Sequence, residues 1–182
     1  MWYNRLMKHR RWILRGLLVL TLLALGGCPF SSDHPLSDPG QAVRDDALVG
    51  SWRWQDPDTR HWVTLRIYPY NERELVGVTR DEGEPQARID AYRLFSTTVG
   101  GQQFLNAQEL TPDANHEWYL ARYTAAGNQL TLAFVDDALF QSRTFDSADA
   151  LRRFLEQNLA NPKLYATESG EPFQSVWQRA PW

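Results

Sequence analysis

The side chains that could take part in chemistry are few in this chain and widely separated. The one cysteine is Cys28, and the histidines that follow it are His34, His61 and His116. These histidines show neither His-x-His nor His-Glu-x-x-His spacing, so a zinc site is not predicted. Serine-nucleophile motifs, phosphate-binding glycine loops and dinucleotide fingerprints are absent as well. The sequence therefore predicts neither a metal nor a cofactor in the folded part of the chain.

Two pairs of carboxylates lie close together along the chain. They are Asp136-Asp137 and Glu82/Glu84. Adjacent residues of a strand face opposite ways, so the first pair does not converge on a substrate, and both pairs are expected to solvate turns. His61 or His116 could act with a carboxylate from another strand, but an exposed position at a strand end is the simpler interpretation. No catalytic residue is predicted, and the chain is not expected to be an enzyme.

Cys28 ends an apolar segment near the start of the chain. Residues 1–15 contain five basic side chains and no acidic one, and residues 16–27 carry no charge. A membrane-spanning helix needs about 20 apolar residues, whereas the core of a secretory signal needs roughly 7 to 15. Residues 1–27 are therefore predicted to be a signal peptide, with an uncleaved anchor helix as the alternative.

The run Leu25-Gly26-Gly27-Cys28 resembles the lipobox of bacterial lipoproteins. The resemblance implies that the Cys28 sulfur carries a diacylglycerol, that residues 1–27 are removed, and that the new amino terminus receives an N-acyl chain such as palmitate. Each buried methylene contributes about 0.8 kcal/mol, so two or three chains give stable attachment to a membrane. The membrane is then a partner through this anchor. Lipidation also consumes the only thiol, which leaves the domain without a disulfide.

Two further features bear on export and destination. Arg10-Arg11, followed by apolar residues and Arg15, also resembles a twin-arginine signal, so the Sec and twin-arginine routes both stay open. Pro29 occupies the position where an aspartate directs many Gram-negative lipoproteins to stay in the inner membrane. The resemblance thus implies a cell-envelope protein, facing the periplasm or on the surface, with the outer membrane favoured over the inner one.

The net charge of the chain becomes more negative when the predicted signal is left out. Residues 28–182 keep 14 of the 19 basic residues and all 22 acidic ones, which gives a net charge of −8. Nucleic acids and anionic lipid headgroups are attracted by clustered positive charge, so neither is an expected partner. The 155 residues are enough for one domain with a hydrophobic core.

Residues 28–47 differ in composition from the rest. They contain three prolines, several Ser and Asp residues and no apolar periodicity, which predicts a flexible tether below the lipid anchor. A coil of this length spans roughly 25 Å. Residues 48–182 are then predicted to form the domain.

Alternation of apolar and polar residues dominates residues 48–182 and predicts strands. Clear examples are His61–Tyr68, Glu117–Thr124 and Gln129–Val135. Short turn sequences such as Gly100-Gly101 separate the strands, which favours antiparallel hairpins. The pattern therefore predicts an antiparallel meander.

One helix interrupts this order. Ser147 is suited to cap a helix that starts at Ala148, apolar residues recur at helical spacing as far as Leu159, and Pro162 ends the pattern. An apolar run at 173–179 then predicts a closing strand, which would pair with a first strand near 48–54. The predicted fold is all-β: an antiparallel up-and-down barrel of about eight or nine strands with one helix before the last strand.

The first strand contains Gly50-Ser51-Trp52, and Gly-x-Trp at this place resembles lipocalins and their calycin relatives. The resemblance implies a lipocalin-like barrel in which the tryptophan plugs the closed end and an arginine stacks on its ring, a contact of about 0.5 to 2 kcal/mol. Arg143, before the helix, and Arg179, on the closing strand, are both suitably placed. These residues are interpreted as structural. The Thr-Asp-Tyr motif of lipocalins is missing.

A barrel of about eight strands is either filled by its own side chains or holds one small ligand. Large residues available to line or fill it are Phe95, Phe104, Tyr119, Tyr123 and Phe134. We expect a lipid-anchored, non-enzymatic protein that binds or carries a small hydrophobic ligand near the membrane. The alternative is a solid barrel whose outer surface recruits another envelope protein. No ligand-binding residue follows from the sequence.

Overall fold

The computed structural model describes residues 29–83, 89–112, 114–140, 143–165, 167–168, 171–172 and 174–182. The predicted signal, 1–27, and the predicted lipidation site, Cys28, lie outside these ranges. Within them, no helix combines the length and the apolar character needed to cross a membrane.

Eight antiparallel strands form the main sheet. They are β2 (Gly50–Gln55), β3 (Trp62–Pro69), β4 (Leu75–Asp81), β5 (Ile89–Val99), β6 (Gln102–Glu109), β7 (Trp118–Ala126), β8 (Gln129–Phe134) and β11 (Ser175–Ala180). From β2 to β8 each strand pairs with the next one along the chain. The predicted meander is therefore confirmed.

The last strand closes the sheet into a barrel. β11 pairs with β2, where Arg179 lies opposite Trp52, and on its other side with β8, where Val176 lies opposite Thr131. Closure leaves neither β2 nor β8 as a free edge, which removes the template for edge-to-edge aggregation. The all-β up-and-down barrel with a helix before its last strand is confirmed.

The remaining elements lie outside the ring of eight strands. The short strand β1 (Ser31–Ser32) pairs with the start of β7, and β9 (Thr167–Glu168) pairs with β10 (Glu171–Pro172). The one α-helix among the described residues is α1 (Ala148–Gln157). Single turns of 3-10 helix occur at Pro39–Gln41, Asp46–Leu48, Asp137–Leu139 and Pro162–Leu164.

Helix α1 begins where its capping residue predicts. The Ser147 hydroxyl accepts a hydrogen bond from the Ala150 N–H at 3.2 Å, which satisfies a donor that has no partner within the helix. Leu151 and Leu155, four residues apart on one face, are fully buried against the outside of the barrel. The helix ends at Gln157, ahead of Pro162.

Two main apolar cores lie on opposite sides of the barrel wall. The inner core takes one or more side chains from every strand of the ring, including Trp52, Leu65, Leu75, Leu94, Leu105, Tyr123, Leu130 and Trp177. The outer core lies between the outer face of β5–β8 and the elements that cover it, and it contains Phe104, Leu120, Leu151 and Phe30. Strands β5–β8 are therefore apolar on both faces.

Residues 29–48, here called the N-terminal segment, pack on the barrel. Phe30 and Leu36 are buried in the outer core, and the Phe30 N–H donates to the Val135 carbonyl at 2.9 Å. The flexible tether predicted for 28–47 is therefore wrong for its described part. A few apolar residues at irregular spacing give no periodic signal, yet each one fills a place in the outer core.

A buried amide fixes this segment in position. Asn106 on β6 is fully buried; its Oδ1 accepts from the Leu36 N–H at 2.8 Å, and its Nδ2 lies 3.0 Å from Thr97 Oγ1. Thr97 in turn lies 2.7 Å from the Ser37 hydroxyl. A buried polar group must be hydrogen-bonded, so Asn106 selects one docked position for the segment.

Replacing Asn106 should loosen the N-terminal segment. Asn106→Ala leaves the buried Leu36 N–H without its acceptor, and we expect the free energy of unfolding in urea to fall by about 1–3 kcal/mol. Gln103→Ala on the same strand is the control, because Gln103 is exposed and its amide oxygen accepts from Thr98 on the surface. Equal losses in the two variants would contradict the role given to Asn106.

Candidate functional site

The barrel has a closed end and an open end, and Trp52 lies at the closed one. Its side chain is fully buried, and its indole N–H donates to the Leu48 carbonyl at 2.8 Å. Leu48 ends the 3-10 turn that precedes β2 and is itself fully buried in the inner core. The turn and the tryptophan together plug this end of the barrel.

Arg179 is the arginine that stacks on Trp52. Its Cζ lies 4.2 Å from the centre of the Trp52 ring, and its guanidinium donates to the carbonyls of Val49 at 3.1 Å and Ala47 at 3.4 Å. It thereby ties the last strand to the chain that enters the first. Arg143 lies elsewhere, with its Cζ 5.3 Å from the centre of the Phe154 ring. Of the two arginines that the sequence left open, the structure thus places Arg179 on the tryptophan.

Gly50 is required at this end for two reasons. Its φ of 151° falls in a region that side-chain-bearing residues rarely adopt. A Cβ at Gly50 would also collide with Arg179 Nη1. The residues Gly50, Trp52 and Arg179 thus form one packed unit at the closed end.

Tyr123 connects the inner core with the N-terminal segment. Its hydroxyl lies 2.8 Å from both Asp45 Oδ2 and Ser96 Oγ, so it donates to the carboxylate and accepts from the serine. Burial raises the pKa of Tyr123, and the charge of Asp45 adds to the rise. The phenol therefore stays neutral and keeps both partners over the physiological pH range.

The opposite end of the barrel, here called the mouth, is formed by the ends of β2, β4, β6 and β8 and the starts of β3, β5, β7 and β11. Interior side chains at this level are only half-buried. They include Trp54, Val63, Tyr92, Ala107 and Phe134, all of which pack on the inner core. The interior side chains at the mouth are thus less buried than Trp52 and Leu130, and a small apolar surface is accessible there.

The polar groups around the mouth are mainly acidic. Tyr119 faces the interior opposite Ala107, and its pKa is raised first by burial and then by the nearby charges of Glu117 and Glu109. Burial is the larger cause of the raised pKa, and the two carboxylates add to it through their negative charge. An apolar molecule that enters here meets a negative edge.

His61 and His116, which the sequence singled out, lie in turns at this end, and His61 contacts a carboxylate of another strand. His61 Nδ1 lies 3.5 Å from Asp81 Oδ1 at the edge of the mouth. His116 sits in a turn at a φ of 61°, and its carbonyl accepts from the Gln108 amide at 2.6 Å. Among the described residues, no cluster of three or more His, Cys, Asp or Glu side chains could hold a metal ion.

The candidate carboxylate pairs serve local structure where they are described. Asp136 is buried, and its Oδ1 accepts from the Ala138 N–H at 2.6 Å, which caps the turn Asp137–Leu139. Glu82 accepts from Thr64 and pairs with Arg53, and the hydrogen bond from Thr64 is the main cause of its lowered pKa. Glu84 lies outside the described residues.

The five large residues expected inside the barrel divide between its two faces. Tyr123 and Phe134 belong to the inner core, and Tyr119 faces the same way. Phe95 and Phe104 point outward, Phe95 against Trp118 and Phe104 into the outer core. The sequence also gave no hint of Trp54, Tyr92 and Ala107 at the mouth, because their alternation matches that of any half-buried strand.

Among the concavities that the described residues form, two lie along the barrel wall. One of about 440 Å³ is lined by Trp54, Trp62, Val176 and neighbouring side chains of β2 and β11. The other, of about 380 Å³, is lined by Arg66, Arg80 and Ile89 with parts of β3 and β4. Both lie on the part of the wall that neither α1 nor the N-terminal segment covers.

Removal of the Arg179 guanidinium should destabilise the barrel more than removal of that of Arg143. Arg179→Met loses the stacking on Trp52 and two hydrogen bonds to carbonyls, and we expect the free energy of unfolding in urea to fall by about 1–3 kcal/mol. Arg143→Met removes one contact at an exposed position and should cost less than about 0.5 kcal/mol. The reverse order would contradict the assignment of Arg179.

Comparison with known proteins assigns no family to this chain, so the chain is described by its topology. No family model matches the sequence, and neither the curated proteins nor the solved structures include a significant match. The described residues form an eight-stranded up-and-down barrel with Gly50, Trp52 and Arg179 at its closed end, an arrangement consistent with a lipocalin-like fold.

Proposed function

We propose that the chain is a lipid-anchored lipoprotein of the cell envelope whose barrel binds or carries a small hydrophobic ligand near the membrane. The observation that carries the proposal is the accessible apolar lining of the mouth, where Trp54, Tyr92 and Phe134 are half-buried on the inside of the wall. Sites for small molecules are concave and mainly apolar, with a few polar groups at the edge. The mouth has this composition.

The packing of the barrel sets the size and charge of the ligand. The plugged half is filled by Trp52, Leu48 and Tyr123, so a ligand enters only the mouth half. The acidic edge near Glu109 and Glu117 disfavours a negatively charged head. We therefore propose a small apolar molecule whose polar end is neutral or positively charged.

The anchor rests on the sequence of the signal. The lipobox-like run that ends at Cys28 supports attachment of a diacylglycerol and an N-acyl chain, and Pro29 in place of an aspartate supports the outer membrane over the inner one. The proposed function is not enzymatic, since it uses neither a cofactor nor the His61–Asp81 contact. Nucleic acid is not a proposed partner, given the charge of −8 over residues 28–182.

A second candidate function is recruitment of another envelope protein through the outer surface. It is favoured by the uncovered face of β3 and β4, where Arg66 and Arg80 form no salt bridge with another described residue and lie beside the exposed Ile89. Arginine and apolar side chains together are common at protein interfaces. This function would need no ligand inside the barrel.

The anchor can be tested by moving the thiol. The intact chain should incorporate an alkyne-labelled palmitate and fractionate with membranes, whereas Cys28→Ser should lose both properties because it lacks the acylated sulfur. Cys28→Ser combined with Ser31→Cys is the matched control, since it restores a thiol outside the lipobox. Membrane attachment and labelling of either variant would contradict the proposed anchor.

The ligand site can be tested by filling the mouth. Ala107→Phe places a ring among the mouth side chains, and we expect it to weaken saturable binding of the neutral fluorophore N-phenyl-1-naphthylamine at least about tenfold, or 1.4 kcal/mol. Ala91→Phe, on the outer side of the neighbouring strand β5, is the matched control and should bind as the unaltered chain does.

Two results would count against the ligand proposal. The first is the absence of any saturable site in the unaltered chain. The second is equal binding by the Ala107 and Ala91 variants. Loss of a crosslinked envelope protein in cells carrying Arg66→Glu and Arg80→Glu, with fluorophore binding unchanged, would instead support the second candidate function.

A further inference from the structure

We infer that, with Cys28 acylated as proposed above, the mouth end of the barrel rests directly on a zwitterionic phospholipid surface. The attachment point carries the first step. Pro29 pairs with Asp136, two residues beyond the mouth-side end of β8, and Phe30 is buried in the outer core. Successive Cα atoms are about 3.8 Å apart, so the acylated residue is one peptide bond from the barrel wall.

The second step concerns which end of the barrel the attachment point favours. From Asp136 to the start of β8 at Gln129 the chain is extended and rises roughly 3.3 Å per residue, so the plugged end lies on the order of 20–25 Å from Pro29. With no free linker between the acyl chains and the wall, the nearer end is held at the bilayer. The nearer end is the mouth.

The third step is the surface found at that end. Three exposed apolar side chains stand around the mouth, Trp62 at the start of β3, Ile89 at the start of β5 and Leu110 just after β6, and they are 40, 60 and 47 % exposed. They come from one side of the ring, where β3, β4, β5 and β6 lie next to one another, and the Leu110 N–H donates to the Ala91 carbonyl at 2.8 Å, two residues from Ile89. Apolar and tryptophan side chains in such an arrangement partition into the headgroup region of a bilayer.

The charges around the mouth decide which lipid fits. The described carboxylates at this end include Asp81, Glu82, Asp90, Glu109, Glu117 and Asp136, and the described arginines include Arg53, Arg60 and Arg80. The excess of negative charge repels an anionic leaflet and leaves a neutral one as the matching surface. The predicted surface is thus rich in phosphatidylethanolamine or phosphatidylcholine.

The plugged end also exposes aromatic residues, and these can be compared with the exposed residues of the mouth. Tyr68 and Trp182 stack on one another with ring centres 5.2 Å apart, and Tyr70 is 66 % exposed nearby in the chain. This end is also apolar, so composition alone does not select an orientation. The position of Pro29 does.

The orientation can be measured on the full-length, processed chain reconstituted into phosphatidylcholine–phosphatidylethanolamine vesicles. Because the lipidated Cys28 has no free thiol, one added cysteine can carry an environment-sensitive fluorophore: Ile89→Cys or Leu110→Cys at the mouth, or Tyr70→Cys at the plugged end. Lipids with a nitroxide on the headgroup should quench the labels at 89 and 110 several-fold more than the label at 70. Added anionic lipid should reduce that quenching.

Each alternative result overturns the inferred orientation. Equal quenching at all three positions would mean that the barrel has no fixed orientation, and stronger quenching at 70 would reverse it. Shielding of the mouth labels that depends on protein concentration, without quenching by lipid, would assign the mouth to a second copy of the chain. The mass of the amino-terminal peptide separates these results from failure of the anchor: an unmodified Cys28 refutes the anchor as well, whereas an acylated Cys28 with unquenched mouth labels refutes only the orientation.

Discussion

The fold depends on the last strand, β11, which is hydrogen-bonded on one side to β2 and on the other to β8. Without it the meander would be an open sheet with two long edges. The same strand carries Arg179, whose guanidinium lies on Trp52 and bonds to carbonyls ahead of β2. This one strand therefore closes the sheet through its backbone and stabilises the plugged end through its side chain. The mouth at the other end depends on the same closure, because it is the open end of a complete ring.

Much of this architecture is predictable because its signals are local. Alternation marks β3, β7 and β8 to within about two residues, and the hydroxyl of Ser147 marks the start of α1. The inside of the barrel is harder to predict. Both faces of β5 and β6 are apolar, so alternation does not tell that Leu94 faces inward and Phe95 outward. That choice is made by what covers the outer wall, which is a tertiary property.

The docking of the N-terminal segment and the choice of the stacking arginine also depend on tertiary contacts that the sequence does not reveal. Phe30 and Leu36 are single apolar residues in a polar, proline-containing stretch, and only a buried acceptor such as Asn106 gives that stretch a defined position. The sequence left two positions open for the stacking arginine. Arg143 precedes the helix and Arg179 belongs to the closing strand, and both places suit such a residue. Register decided between them: Arg179 lies directly opposite Trp52 across the β11–β2 pair.

Pro29 and Phe30 contact the barrel wall, and this contact bears on whether modification of Cys28 or folding comes first. A peptidase that cleaves before Cys28 and an acyltransferase that modifies it both need an extended, accessible chain, whereas residue 30 is buried and its N–H is bonded to Val135. On the proposed lipidation of Cys28, its processing and the docking of the N-terminal segment would compete for the same few residues. If Cys28 is processed as the lipobox implies, modification precedes final folding, which favours export as an unfolded chain over export of a finished barrel.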